Sequence, residues 1–92
     1  MWARVARFEG DPADIDARIE RLRPVLESGP PAELEGAKFL LLVDRDSGNA
    51  IGLALFDTEE ALRRGDAVMN AGPGHAGSRA TVEFYEVPLH TL

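Results

Sequence analysis

The stretch "AKFLLLV", Ala37 to Val43, is apolar at five consecutive positions from Phe39 onward. Successive side chains of a strand point to opposite faces of its sheet, so this run places apolar groups on both. An antiparallel strand with one solvated face would instead alternate apolar and polar residues. What covers the second face in a chain of 92 residues is the question that decides the fold and the assembly.

Downstream, "DRDSGNA" carries turn chemistry: Asp46 and Ser47 suit a type I turn, and Gly48 takes the left-handed conformation that closes a three-residue hairpin loop. The first strand of the hairpin is expected to run on to Arg45, and "AIGLALF", Ala50 to Phe56, is its second. A loop of Asp46, Ser47 and Gly48 sets Val43 opposite Ile51, Leu41 opposite Leu53 and Phe39 opposite Leu55 on one face. The other face then carries Leu40, Leu42, Ala50, Gly52, Ala54 and Phe56.

Outside the hairpin, "WARVARFE", Trp2 to Glu9, reads as a strand with Trp2, Ala6 and Phe8 on one face and Ala3 and Val5 on the other. Asp11 with Asp14 resembles a capping box, and Pro12 falls where a helix tolerates proline best. Ile15, Ile19, Leu22 and Leu26 then form a single apolar stripe with charged residues around it. Pro24 predicts a kink or an early end, with Gly29 as the latest stop. "SGPPAELEG" is a loop by its glycine and proline content.

After the hairpin, Asp57 with Glu60 forms a second capping box, so a helix begins at Asp57 or Thr58. Glu59/Arg63 and Glu60/Arg64 are favourable pairs one turn apart, and Ala61, Leu62, Gly65, Val68 and Met69 share a face. The helix fails at "NAGPGHAGS". "RATVEFYEV" is the last strand, with Val82 and Phe84 on one face and Tyr85 and Val87 on the other.

The order is β-α-β-β-α-β, an α+β, ferredoxin-like pattern with a four-stranded antiparallel sheet in one domain, residues 1–92. Right-handed crossovers put both helices on one face of that sheet. The other face is left bare, and leaving its large apolar side chains in water would exceed the patch size monomers tolerate. A small domain also buries only about 60 to 68 per cent of its unfolded surface. The expectation is therefore a homodimer packed through sheet faces; the sequence leaves open which face of the hairpin strands meets the partner.

A net charge of −6 disfavours nucleic acid and anionic membrane surfaces as partners. The absence of cysteine removes disulfides, thiolate nucleophiles and cysteine-based metal sites. No signal peptide or membrane-spanning run is legible, so a cytoplasmic location is expected.

With "LEGAKFLLLVDRDSGNAIGLALFDTEEAL" as its most specific block, together with the opening "MWARVARFEGDP" and the closing "EFYEV", the chain resembles the antibiotic biosynthesis monooxygenase-like domains of the dimeric α+β barrel superfamily. The resemblance implies a homodimer whose sheets face each other, and a pocket between sheet and helices that takes a hydrophobic aromatic metabolite. Some such domains oxidise phenols without a cofactor and others degrade heme; here no cofactor is expected, heme included, and no metal.

The resemblance does not imply one reaction; it allows a monooxygenase-like oxidoreductase, and in the members that oxygenate without a cofactor an asparagine, a tryptophan and in some cases an arginine or histidine lie around the pocket and orient a phenolate. The candidates for that catalytic work are His75, Arg4, Asn70 and Tyr85, and the candidates for the pocket wall are Trp2, Phe56, Gly65 and Met69. Phe56 stands where the family often has tryptophan, which keeps a wall and loses the indole donor. For Arg4, and for Arg7 on the opposite face, an ion pair with Glu83 or Glu86 is the structural alternative. "GPGHAG", Gly72 to Gly77, has the spacing of a dinucleotide fingerprint but follows a helix instead of a strand, so it reads as a turn. His90 in the terminal tail is assigned no task. The rival function is a non-catalytic ligand-sensing or stress-response dimer of the same fold; a filled core beneath the helices would favour it.

Overall fold

The computed structural model describes residues 1–28, 34, 36–71 and 79–91. It is an α+β domain of four strands and two helices: β1 (Trp2–Phe8), a 3-10 turn (Pro12–Asp14) leading into α1 (Ile15–Glu27), β2 (Lys38–Val43), β3 (Ala50–Phe56), α2 (Glu59–Ala71) and β4 (Arg79–Glu86). All three strand pairings are antiparallel, and the order across the sheet is β2-β3-β1-β4. This architecture is compatible with the ferredoxin-like pattern. Most of "SGPPAELEG" and all of "GPGHAG" lie outside the described residues.

Local chemistry explains the elements. The Asp11 carboxylate accepts from the Ala13 amide at 2.9 Å, capping the 3-10 turn, and Pro12 occupies its first position. α1 does not end early at Pro24; it continues to Glu27, where the Ser28 amide donates back to the Pro24 carbonyl at 3.0 Å. At the second helix the cap is Thr58, whose Oγ1 accepts from the Ala61 amide at 3.0 Å. Arg63 and Arg64 reach Glu59 and Glu60 at 2.7 and 3.2 Å, as their spacing predicts.

The hairpin register differs from the expected one by a single residue. Lys38 pairs with Leu55, Phe39 with Ala54, Leu40 with Leu53, Leu41 with Gly52, Leu42 with Ile51 and Val43 with Ala50. The Asp44 amide donates to the Asn49 carbonyl at 2.9 Å, which leaves a loop of four residues, Arg45 to Gly48, where three were expected. Asp44 is the cause. Its carboxylate accepts from the Asp46 amide at 3.0 Å and the Ser47 amide at 3.5 Å, so the turn starts one residue earlier, with Gly48 at φ +82° closing it. A shift of one residue exchanges the faces of one strand relative to the other.

With this register, Phe39, Leu41 and Val43 share a face with Ala50, Gly52, Ala54 and Phe56 of β3 and with Trp2, Arg4, Ala6 and Phe8 of β1. Large side chains on β2 are thus set beside small ones on β3. Both helices lie over this face: α2 packs Leu62, with Ala61, Val68 and Met69, against Ala54 and Phe56, while α1 lies beside Leu41 and Val43. The opposite face presents Lys38, Leu40 and Leu42 of β2, Ile51, Leu53 and Leu55 of β3, Ala3, Val5 and Arg7 of β1, and Thr81, Glu83 and Tyr85 of β4. Leu40, Leu42 and Tyr85 on that face are exposed.

Candidate functional site

Two regions beneath the helices differ in how well they are filled. Among the described residues, the packing under α2 is tight. Phe56 and Leu62 are almost fully buried, and Trp2, Phe39 and Met69 pack against them. Gly65 faces the Phe56 ring so closely that a Cβ there would stand 2.5 Å from its Cζ and 3.0 Å from Leu34 Cδ2. Three of the expected pocket-wall residues, Trp2, Phe56 and Met69, therefore meet in the core cluster, and Gly65 serves the close approach of helix to ring.

Arg4 belongs to the same region. It is buried among the helix-face residues of β1, and its Nε donates to Asp66 Oδ1 of α2 at 2.8 Å. The expected partner was Glu83 or Glu86; the structure assigns a helix carboxylate instead, because the face of β1 that carries Arg4 looks at α2. Asp66 is a site residue that sequence reasoning missed, although its i+1 position after Gly65 on the inward side of α2 was a usable signal.

Arg7, on the opposite face, does pair with Glu83: its Nε donates to Glu83 Oε1, and the Tyr85 hydroxyl donates to Glu83 Oε2 at 2.7 Å. These contacts lower the Glu83 pKa below the ordinary carboxylate range, the Tyr85 hydrogen bond first and the Arg7 hydrogen bond second. The same bonds raise the pKa of Tyr85 and of Arg7, each chiefly through its hydrogen bond to Glu83. Tyr85 thus stands on the open face with Arg7 and Glu83, away from Arg4. Asn70 lies in the last turn of α2, and His75 lies outside the described residues.

Under α1 the packing is open. A cleft of about 420 Å³ runs between α1 and β2, lined by Ile19, Leu22, Leu26, Leu41 and Val43, with Arg23 and Glu27 on its helix side. None of these lining residues was singled out as a pocket candidate from the sequence. Ile19, Leu22 and Leu26 were legible as the apolar stripe of α1, and a stripe says only that a helix packs, not how completely. Several contacts hold the start of α1. Arg45 of the hairpin loop pairs with Asp16 at 3.0 Å, the Arg18 guanidinium lies 5.3 Å from the Phe8 ring centroid, and Gly48 sits against Gly10 and Pro12.

Chemically, the cleft offers aliphatic surface and two charges one helical turn apart. Among the described residues, no group of three or more histidine, aspartate or glutamate side chains is placed to hold a metal ion. No helix among them is long and apolar enough to cross a membrane. Comparison with protein-family models and with curated proteins finds no match to this chain.

Proposed function

We propose that the chain is a homodimeric ligand-binding module of the dimeric α+β barrel type, which holds a small hydrophobic molecule in the cleft between α1 and β2 of each subunit. The observation that carries this reading is the contrast between the filled core under α2 and the cleft of about 420 Å³ under α1. That volume lies in the range of small-molecule sites, and its walls are apolar with few polar groups, as such sites are.

The open sheet face supports the dimer. Leu40 and Leu42 are exposed beside Ile51 and Leu53, and covering several such side chains contributes roughly 1.5 to 3 kcal/mol each before the cost of association. Among the described residues, the side chains that line the cleft favour binding without catalysis over the catalytic reading of this fold. Arg4 is bonded to Asp66 under α2, and Tyr85 points from the open face, so neither stands in the cleft where a phenolate would need orienting.

The test is titration with the uncharged dye Nile red, followed by its fluorescence. Saturable binding that Leu41→Lys abolishes and Leu42→Asp preserves places the ligand under α1, since these neighbours on β2 face opposite sides. Leu26→Gln, at a half-exposed position that folding tolerates, weakens binding without the risk of unfolding. Binding indifferent to both cleft substitutions would overturn the reading.

A further inference from the structure

We propose that the α1–β2 cleft selects an elongated aliphatic amine, its chain lying along the helix and its ammonium group at Glu27; this rests on the reading of the cleft as a ligand site. The walls argue for the chain. Ile19, Leu22 and Leu26 above and Leu41 and Val43 below are all aliphatic. The aromatic side chains stand elsewhere: Trp2, Phe39 and Phe56 in the core under α2, Phe8 beneath Arg18, and Phe84 and Tyr85 on β4. A flat aromatic molecule would find no ring to stack on, and a quaternary ammonium would find no aromatic cage. The lining runs from Ile19 to Glu27, eight residues of helix or about 12 Å at 1.5 Å per residue, so the site is long instead of round.

The charges argue for the head group. Glu27 is an exposed carboxylate in the last turn of α1, and that turn contains no basic residue. The negative end of the helix dipole lies at the same place, so a cation there is favoured twice. Arg23, the other charge on the lining, is drawn one turn back by Glu20 at 3.4 Å. The net charge of −6 also attracts cations and repels fatty acids at long range. A primary ammonium supplies three donors for a carboxylate and nearby carbonyl oxygens, which suits Glu27 better than a bulky or delocalised cation.

The experiment displaces Nile red from the full chain with decylamine, decanol and decanoate, each below its micelle concentration. Decylamine is expected to compete at about tenfold lower concentration than decanoate, the ratio that one charge-assisted contact supplies. Glu27→Gln should remove most of that advantage while leaving decanol unchanged, and added salt should narrow it. Decanoate competing as well as decylamine, or an amine advantage that survives Glu27→Gln, overturns the proposal. Decanol reports on the cleft independently of any head group: displacement by decanol that Leu26→Gln weakens keeps the cleft reading standing when the amine preference fails, and its absence overturns both.

Discussion

Arg4 on β1 and Asp66 on α2 are joined across the layer between sheet and helix, Nε to Oδ1 at 2.8 Å, with Arg4 only 5 % exposed. An arginine in that position cannot shed its charge, so the helix must bring a carboxylate to it. Next to Asp66 on α2, Gly65 faces the Phe56 ring.

Removing Asp66 takes this partner from the buried Arg4 charge. Asp66→Ala is expected to cost about 2 to 4 kcal/mol, somewhat below the full penalty for a broken buried pair because Asp66 retains some solvent contact. Arg4→Met, which removes the charge and keeps much of the volume, should cost less. Urea midpoints at unchanged slope measure both; equal losses would show that packing, and not the charge, dominates at this position.

Gly65→Ala sets two effects against each other. In an open helix the change stabilises by nearly 1 kcal/mol through propensity. Here the new Cβ meets the Phe56 ring at 2.5 Å, and overpacking of that kind costs roughly 1 to 3 kcal/mol. The expected result is net destabilisation, relieved in the double variant with Phe56→Leu. A more stable single variant would mean that the ring moves freely.

Gly48 is held at φ +82° with its α-carbon against Gly10 and Pro12. Gly48→Ala adds left-handed strain to a Cβ only 2.5 Å from the Pro12 nitrogen, a backbone atom that cannot turn aside, and should cost more than about 2 kcal/mol. Gly36, also at positive φ but with no atom of the described residues within 4 Å of its would-be Cβ, provides the control: Gly36→Ala should cost little beyond the strain. Thermal melting of the two variants compares them directly.

Acid should expose the Glu83 contacts. Tyr85 and Arg7 lower its pKa in the folded chain, so its contribution to stability is present above the ordinary carboxylate range and is lost as pH falls through the depressed value. Asp44 acts with the same sign, its carboxylate held down by the backbone amide of Asp46 first and by Ser47 next. Glu83→Gln and Asp44→Asn are each expected to flatten the acid limb of stability against pH. Two-dimensional NMR titration of the carboxyl carbons checks the direction independently.

Leu40→Asp combined with Leu42→Asp, on the open face, should convert the proposed dimer to a particle of 10.0 kDa in sedimentation without unfolding it, because both side chains are already exposed in the single chain. The same mass for the parent protein would remove the dimer from the proposal.

The sequence by itself determined the elements and their kind. The stripe of Ile15, Ile19, Leu22 and Leu26, the run of β2 and β3, and the charge pairs of α2 are local patterns, and local periodicity is enough to specify a helix or a strand. Tertiary structure alone decided how those elements meet. The hairpin pairs one residue out of the expected register, which sets Phe39, Leu41 and Val43 on one face with Ala50, Gly52, Ala54 and Phe56, and the packing turned that face to the helices, an outcome that composition cannot report because large apolar residues lie on both faces of β2. The partner of Arg4 was likewise settled by which side of β1 meets α2. The cleft under α1 lies where the run from Ile19 to Glu27 stands over β2 with space between them. Whether a stripe packs tightly depends on the volume left between layers, and that is set only when the layers come together.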